Sequence, residues 1–343
     1  MACNIPIMPP FFPMRPRETP ITMRENLMLA FNHKKPMFMP LLAASSQFVG
    51  CKSNHDMAPS KGAAGKDWFG TNYVYSDTAG INMPAGGVFD DVTEWREKLK
   101  FPDLKAIDWS HDADGFVRDE TKAVCARFSN GIFERLHAFE GFEQCLVDLL
   151  IEPDECRDLF NRIADYKIEL FNIHADLFPL DYLVAADDYG TARTPFFSTA
   201  VFEDLLLEPT RRFVQAVHER GCKFLAHCCG KVDVFIPYLV DEIGVDAVEI
   251  QEINDLKGIM QKYGDRLLLE IMPKSEIVFD DETTDEQLVA HIHDLVDTFG
   301  AHTNPGSGAV MVLKSNWKDS YYLMEDELYD YSMKQYASVY QGK

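Results

Sequence analysis

Gly221-Cys-Lys-Phe-Leu-Ala-His-Cys-Cys-Gly-Lys-Val-Asp-Val-Phe-Ile-Pro-Tyr-Leu-Val-Asp-Glu-Ile-Gly-Val-Asp-Ala-Val-Glu-Ile250 reads as strand, turn, helix, stop and strand. Residues 223–226 are a short, mostly apolar run. Phe235, Ile236, Leu239 and Val240 then recur at helical spacing within 232–243, and Gly244 stops that helix. Residues 246–250 return to strand. The same grammar extends both ways. A helix over 155–172 precedes a strand over 182–186. A helix over 201–220 places Phe213, Val214 and Val217 on one face and ends at Gly221. Downstream come a helix over 255–263 stopped by Gly264 and a strand over 267–271. Thr284 with Gln287 then forms a capping box for a helix running to Phe299, which Gly300 stops. Such alternation with short links is βα text and predicts a mostly parallel sheet. Its regularity, the chain length and the lack of a Gly-x-Gly-x-x-Gly turn favour an α/β fold of the (β/α)8 TIM-barrel type over a dinucleotide-binding sheet.

The first third is less regular. Pro9, Pro10, Pro13, Pro16 and Pro20 keep residues 1–20 from regular structure. This stretch is expected to be an arm, either frayed or laid across a partner subunit in a homodimer. Residues 21–343 are expected to form the single barrel domain. Thr22 and Glu25 make a capping box for a helix over 22–32. Residues 37–43 read as a buried strand, although Pro40 removes a ladder hydrogen bond. Gly, Ser, Asp and Asn dominate from Ser53 to Gly87, and periodicity is weak. The insertions there are read as a lid or substrate wall, with plain surface decoration as the alternative.

Composition excludes several classes of function. The chain has 343 residues, 46% of them apolar, which suffices for a full core. No run approaches the roughly 18 apolar residues of a membrane span. Nor does the N-terminus carry the apolar core of a signal peptide, so a cytoplasmic location is expected. A formal charge of -22 argues against nucleic acid and against anionic lipid. The eight cysteines are irregularly spaced, which is not a disulfide scaffold. Cys145 and Cys156 fall in helical text as small core residues, and Cys125 is read the same way.

Chemistry is expected at the C-terminal ends of the strands, where a barrel keeps its active site. Those ends carry Asp187, Asp188 and Tyr189, then His227, Cys228 and Cys229, then Glu249, Gln251 and Glu252. His227 and Cys229 are two apart. In extended chain they face one way and Cys228 the other. An imidazole and a thiolate suit Zn2+, but a third donor must come from elsewhere. No Cys follows Cys229, which leaves Glu249, an Asp or a His. Asp187 and Asp188 cannot share one side of a strand: one is expected to serve substrate or act as acid or base, the other to cap a helix. Arg193 follows this turn, where it could hold an anionic group. His111 is either a mouth residue or a plain loop residue.

These blocks carry a family resemblance. Thr22-Met-Arg-Glu-Asn-Leu-Met-Leu-Ala-Phe31, Asp187-Asp-Tyr-Gly190, His227-Cys-Cys-Gly230, Gly244-Val-Asp-Ala-Val-Glu249 and Tyr263-Gly-Asp-Arg266 resemble, in order and spacing, the uroporphyrinogen decarboxylase superfamily. The resemblance is to its branch of corrinoid-dependent methyltransferases. It implies a (β/α)8 barrel. True decarboxylases of the superfamily carry an Arg-Gln-Ala-Gly-Arg segment for substrate carboxylates. The corresponding Leu41-Leu-Ala-Ala-Ser-Ser-Gln-Phe-Val-Gly50 has no arginine, which disfavours a polycarboxylate tetrapyrrole. Zinc-binding transferases of the branch use His-x-Cys, matched by His227 and Cys229, and a later Cys. Here that later position is Ser307, a poor zinc ligand, and Glu249 is the expected substitute.

The resemblance thus implies a methyltransferase that moves a methyl group between a small methylated substrate and the corrinoid of a separate carrier protein. A methyl aryl ether is one such substrate, which would make the chain an O-demethylase component. His227, Cys229 and Glu249 are the expected zinc ligands, with Asp188, Glu249 and His227 catalytic. Asn82, Tyr189, Arg193, Gln251 and Ser307 are expected at the substrate. The loops around Trp68, Tyr73 and Asn82 are read as an aromatic rim. Two alternatives stand beside this reading. One is a metal-independent decarboxylase or lyase on the same barrel, anchored by Asp188. The other is a non-catalytic barrel that acts as a partner protein.

Overall fold

The computed structural model describes residues 12–56, 64–77 and 81–341. Within them the strands are β1 (Ser46–Val49), β2 (Gly65–Lys66), β3 (Asn72–Ser76), β4 (Ile81–Pro84), β5 (Ala123–Phe128), β6 (Tyr182–Ala186), β7 (Lys223–Cys228), β8 (Ala247–Ile250), β9 (Leu268–Ile271) and β10 (Ala309–Met311). The α-helices are α1 (Met23–Phe31), α2 (Leu42–Ser45), α3 (Trp95–Lys98), α4 (Ile132–Glu140), α5 (Phe142–Ile151), α6 (Pro153–Leu177), α7 (Thr199–Val201), α8 (Leu207–Glu219), α9 (Leu256–Tyr263), α10 (Ser275–Val278), α11 (Asp285–Phe299) and α12 (Lys318–Gln341). The fold is α/β. The described residues divide into two compact units, one of residues 48–56, 64–77, 81–117 and 125–245, the other of residues 12–47, 118–124 and 246–341.

In the first unit β5, β6 and β7 are parallel neighbours. Cys125 to Phe128 register with Tyr182 to Ala185, and Tyr182 to Ala186 with Lys223 to His227. Parallel neighbours need long crossovers, which α6 and α8 supply. Leu183 and Val184 on β6 are fully buried, as expected for strands covered on both faces. Residues 65–84, weakly periodic in sequence, form a small antiparallel sheet in which β3 pairs with both β2 and β4. Gly190 and Gly230 lie back to back. A Cβ on Gly230 would stand 2.2 Å from the Gly190 carbonyl oxygen, and its φ of +94° already favours glycine.

The same unit buries four charges. Arg135 on α4 donates to Asp67 at 2.6 Å and to Asp56 at 2.9 Å, and Lys167 on α6 donates to Asp56 at 2.6 Å. Tyr166 adds a bond to Asp56 at 3.0 Å. Arg135 is fully buried, and Asp56 and Lys167 are nearly so. Burial alone would raise the Asp56 carboxyl, but Arg135 and Lys167 overcome it and hold the group below its ordinary range.

In the second unit β8, β9 and β10 are parallel neighbours, buried along their whole length. The capping boxes at Thr22 and Thr284 form as the sequence predicts. The strand expected over 37–43 does not. Only Leu41 bridges Met311, and the chain then turns into α2. Pro40 cannot donate to a ladder, and its carbonyl instead accepts the Met311 N–H at 2.8 Å. The described part of the arm is tied to its own chain. Arg15 reaches Glu325 and Asp326, Arg17 reaches Asp330, and Tyr322 donates to the Pro13 carbonyl, so it lies on its own α12. Residues 1–11 lie outside the described residues. No disulfide joins the seven described cysteines, and Cys125, Cys145 and Cys156 are fully buried, as expected. No helix among the described residues is long and apolar enough to cross a membrane.

Asp56→Asn leaves Arg135 and Lys167 short of a buried anion. The expected loss is about 3–5 kcal/mol in urea unfolding at pH 7. Because the folded carboxyl is held low, its contribution is full above the ordinary aspartate range and drains as pH falls through the folded value. The gap between wild type and D56N should therefore be flat near neutrality and close only in acid. A gap below about 1 kcal/mol at pH 7 would show that this network does not organise the unit.

Candidate metal-binding site

Strand alternation sorts the Asp187-Asp188 pair to opposite sides. Asp187 turns toward α4 and accepts the N–H groups of Phe133 at 3.1 Å and Glu134 at 3.0 Å. It thus caps a helix whose own N-cap is Gly131. The Tyr189 hydroxyl donates to the same carboxylate at 3.0 Å. Burial pushes the Asp187 carboxyl up to about 6, against the pull of those donors. A Cβ on Gly131 would stand 2.2 Å from the Asp187 Cβ, so glycine is what lets the carboxylate in.

Asp188 points the other way. Its Oδ1 accepts the Cys229 N–H at 2.7 Å and lies 3.7 Å from His227 Nε2. His227 Nε2 is 3.4 Å from Cys229 Sγ. Donor atoms of Asp188, His227 and Cys229 all lie within 4.8 Å of one another. Cys228 faces the opposite side, where its sulfur accepts the Tyr189 N–H at 3.3 Å. Burial raises that thiol well above its ordinary value, which makes it an inert core residue. His227 is buried, whereas Cys229 is only partly covered and Asp188 keeps about a third of its side chain exposed, at 34%.

The set fits a zinc ion on its own chemistry. Imidazole, thiolate and carboxylate are the three zinc donor types, and bonds of about 2.0–2.3 Å at tetrahedral angles place ligand atoms roughly 3.3–3.8 Å apart. The His227–Cys229 and His227–Asp188 separations fall in that range. Three protein donors with one exposed side is the arrangement that leaves a fourth position for substrate.

Other expected site residues are placed differently. The donor group has Asp188 where the sequence reading expects Glu249. Glu249 sits on β8 in the second unit, in register with Glu270 of β9, and both are buried. Tyr189 packs among Phe197, Phe202 and Phe235, its hydroxyl spent on Asp187. Arg193 is exposed, and its backbone N–H bonds Thr191. Gln251 is half-buried, and its carbonyl accepts the N–H of Asn254. Ser307 is fully buried, accepting from Asn304 and donating to the Gly308 carbonyl. Asn82 is buried on β4 opposite Tyr75. The expected aromatic rim is packed rather than open. Tyr73 is buried with its hydroxyl on Asp67, and Trp68 stands edge-on to Trp109 and His55. His111 is exposed and bonds Asp114.

Sequence reasoning passes over Glu134 and His137 on α4. Burial raises the Glu134 carboxyl well above its ordinary value, and the nearby Asp188 and Asp187 add to the rise. Burial lowers the His137 imidazole to about 4, with Asp188 opposing it. The Gly131-x-x-Glu134 spacing is a helix-start signal that could have drawn attention to them.

Parallel βα units with a candidate group of metal donors at the strand ends define a parallel α/β protein. The sequence model of the family described as Uroporphyrinogen decarboxylase (URO-D) matches residues 91–277, more than half of the chain. The chain belongs to that family. A methyltransferase from Methanosarcina mazei superposes with a TM-score of 0.58 at 11% identity, over 92% of this chain and 99% of that one. At that identity the likeness is one of fold. A 2,3-dimethylmalate lyase of the PEP mutase/isocitrate lyase superfamily aligns over 86% of this chain and 81% of its own, at 10% identity. Its TM-score of 0.32 carries no weight. No curated protein matches the chain.

Gly131→Ala forces a methyl group onto Asp187. It should cost about 1–3 kcal/mol in denaturant unfolding through overpacking at the cap. Gly50→Ala, at an ordinary φ and in open space, is the control for the glycine-to-alanine change itself. Equal costs for the two would show that the Asp187 contact does not matter.

Proposed function

We propose that the chain is a metal-assisted methyltransferase, moving a methyl group between a small methylated substrate and the corrinoid of a separate carrier protein. The observation that carries the metal half is the convergence of Asp188, His227 and Cys229 at the ends of two adjacent strands, open on one side. The corrinoid half is supported by membership of the URO-D family and by a fold shared with a methyltransferase. The finer architecture, a (β/α)8 barrel, belongs to the same reading and is supported by the parallel neighbours in each unit.

Asp188, His227 and Cys229 would hold the zinc. Bound there, it supplies Lewis-acid polarisation of a substrate oxygen, the chemistry an ether such as a methyl aryl ether needs at its leaving group. The chain's own residues do the positioning. The Cys229 N–H on Asp188 ties the second strand's tip to the first, so the three donors keep one spacing. Asp187, spent on the α4 N-terminus, keeps Asp188 turned toward His227. Glu134, whose carboxyl burial raises well above its ordinary value with Asp188 adding to the rise, is the candidate proton source for the departing oxygen. Glu249 leaves the metal set in this reading.

Metal analysis of freshly purified protein should give about one zinc per chain. H227A, C229A and D188A should each weaken zinc by more than the ~10–100-fold that outer-shell changes cost, while E249Q keeps it. The same variants should lose methyl transfer to free cob(I)alamin from a methoxyarene, followed by the cobalamin spectrum. Metal-free wild type that releases carbon dioxide from an acid would return the assignment to a decarboxylase. Loss of zinc in E249Q but not in D188A would restore Glu249 as the third ligand.

A further inference from the structure

Helix α5 carries an apolar face that its own unit does not cover. Cys145, Asp148 and Leu149 turn inward and are buried. On the other side Leu150 is 70% exposed and Ile151 61%, and Phe142 and Val147 are exposed as well. Leu146 is half-buried among them. Positions 142, 146, 147, 150 and 151 recur at helical spacing, so these side chains form one stripe along a helix about 15 Å long. The stripe continues onto the half-buried Phe196, whose ring lies 4.8 Å from that of Phe142. Exposed apolar residues scattered singly, as Phe48, Val117 and Val234 are along the chain, are ordinary surface. A contiguous apolar stripe marks a contact with another molecule.

Charge and spacing decide what covers it. The chain holds 55 acidic against 33 basic residues, so most of its surface repels another copy. Glu143 is the one exposed charge of α5, since Asp148 is buried and accepts from the Val92 N–H and the Gln144 amide. Like-charged copies can approach along this face. The stripe is also symmetric about the point between Leu146 and Val147. A two-fold axis through that point sets two α5 helices antiparallel, with Phe142 opposite Ile151 of the other copy and Leu146 opposite its Val147. Each Glu143 then faces the other copy's Leu150. The two glutamates stand roughly 10 Å apart along the helices, about one Debye length at 0.1 M salt.

We propose that α5 is a homodimer contact, in which two copies of this chain pack their α5 stripes antiparallel across a two-fold axis. It does not depend on the proposed methyl transfer. One helix face covers less than the roughly 800 Å2 per partner of a standard interface, so the dimer is weak and concentration-dependent.

Sedimentation equilibrium of the full-length protein tests this. Wild type should pass from one 39.1 kDa chain to two as its concentration rises through the micromolar range. Leu150→Glu sets carboxylates against each other and should raise the dissociation constant at least about tenfold. Adding Glu143→Lys turns that repulsion into an ion pair and should recover about threefold or more of the loss. Val234→Glu adds the same charge at an exposed position off the stripe and should leave dimerisation unchanged. All variants should unfold in urea as wild type does. Should L150E unfold early, Ile151→Glu takes its place. Wild type that stays monomeric, a stripe variant as dimeric as wild type, equal weakening by V234E, or E143K/L150E no tighter than L150E would each overturn the proposal.

Discussion

Two cations and two anions buried together set the terms for everything at the strand ends of the first unit. Arg135 and Lys167 belong to different helices, and both are committed to Asp56. A buried charge that drifts from its partner loses several kcal/mol, so α4 and α6 have little freedom relative to the segment that carries Asp56 and Asp67. With α4 fixed, its N-terminus stands over the end of β6, where Gly131 leaves room for one carboxylate. Asp187 fills that room. The two-residue period of the strand then leaves Asp188 a single direction, toward His227 and Cys229. The spacing of the donor group is inherited from an ion network that contains none of its members.

Negative charge also gathers at this point. Asp187 rises to about 6 and Glu134 well above its ordinary value. Burial is the larger cause in both, and the neighbouring carboxylates add to it. A divalent ion held by Asp188 would reverse the sign of that local field and ease ionisation of the neighbours. Metal affinity and the protonation of Glu134 are therefore coupled.

Much of this was readable from sequence, for a specific reason. Alternation along a strand is a local property, so Asp187 and Asp188 could be sent to opposite sides, and His227 and Cys229 to one side, without coordinates. The repeated glycine stops located βα units for the same reason. The third donor was not local. Glu249 was chosen because it ends a strand and bears a carboxylate, but strand-end position says nothing of which residues lie within ligand distance. Among the described residues the carboxylate within ligand distance of His227 and Cys229 is that of Asp188. Glu134 escaped notice because it comes from a helix more than fifty residues before Asp188. Tyr73 and Trp68 looked like rim residues because their segment lacks periodicity. Coordinates show the segment held by Asp67 and Arg135, a contact between residues 68 positions apart. The strand over 37–43 failed on a feature the sequence does contain, since Pro40 supplies a carbonyl but no N–H.

The sheet's two faces teach different lessons about small side chains. On the donor side, polar residues converge because each has a partner that rewards its place. On the helix side, Ala185 and Ala226 sit where Val, Leu or Ile would be ordinary, and each added buried CH2 would contribute about 0.8 kcal/mol. That gain is forgone on two neighbouring strands at matched positions, beneath a threonine whose hydroxyl is left without a partner. One small residue in a core is a local packing solution. Two in register leave a gap of about 40 Å3 that the neighbouring helices do not close.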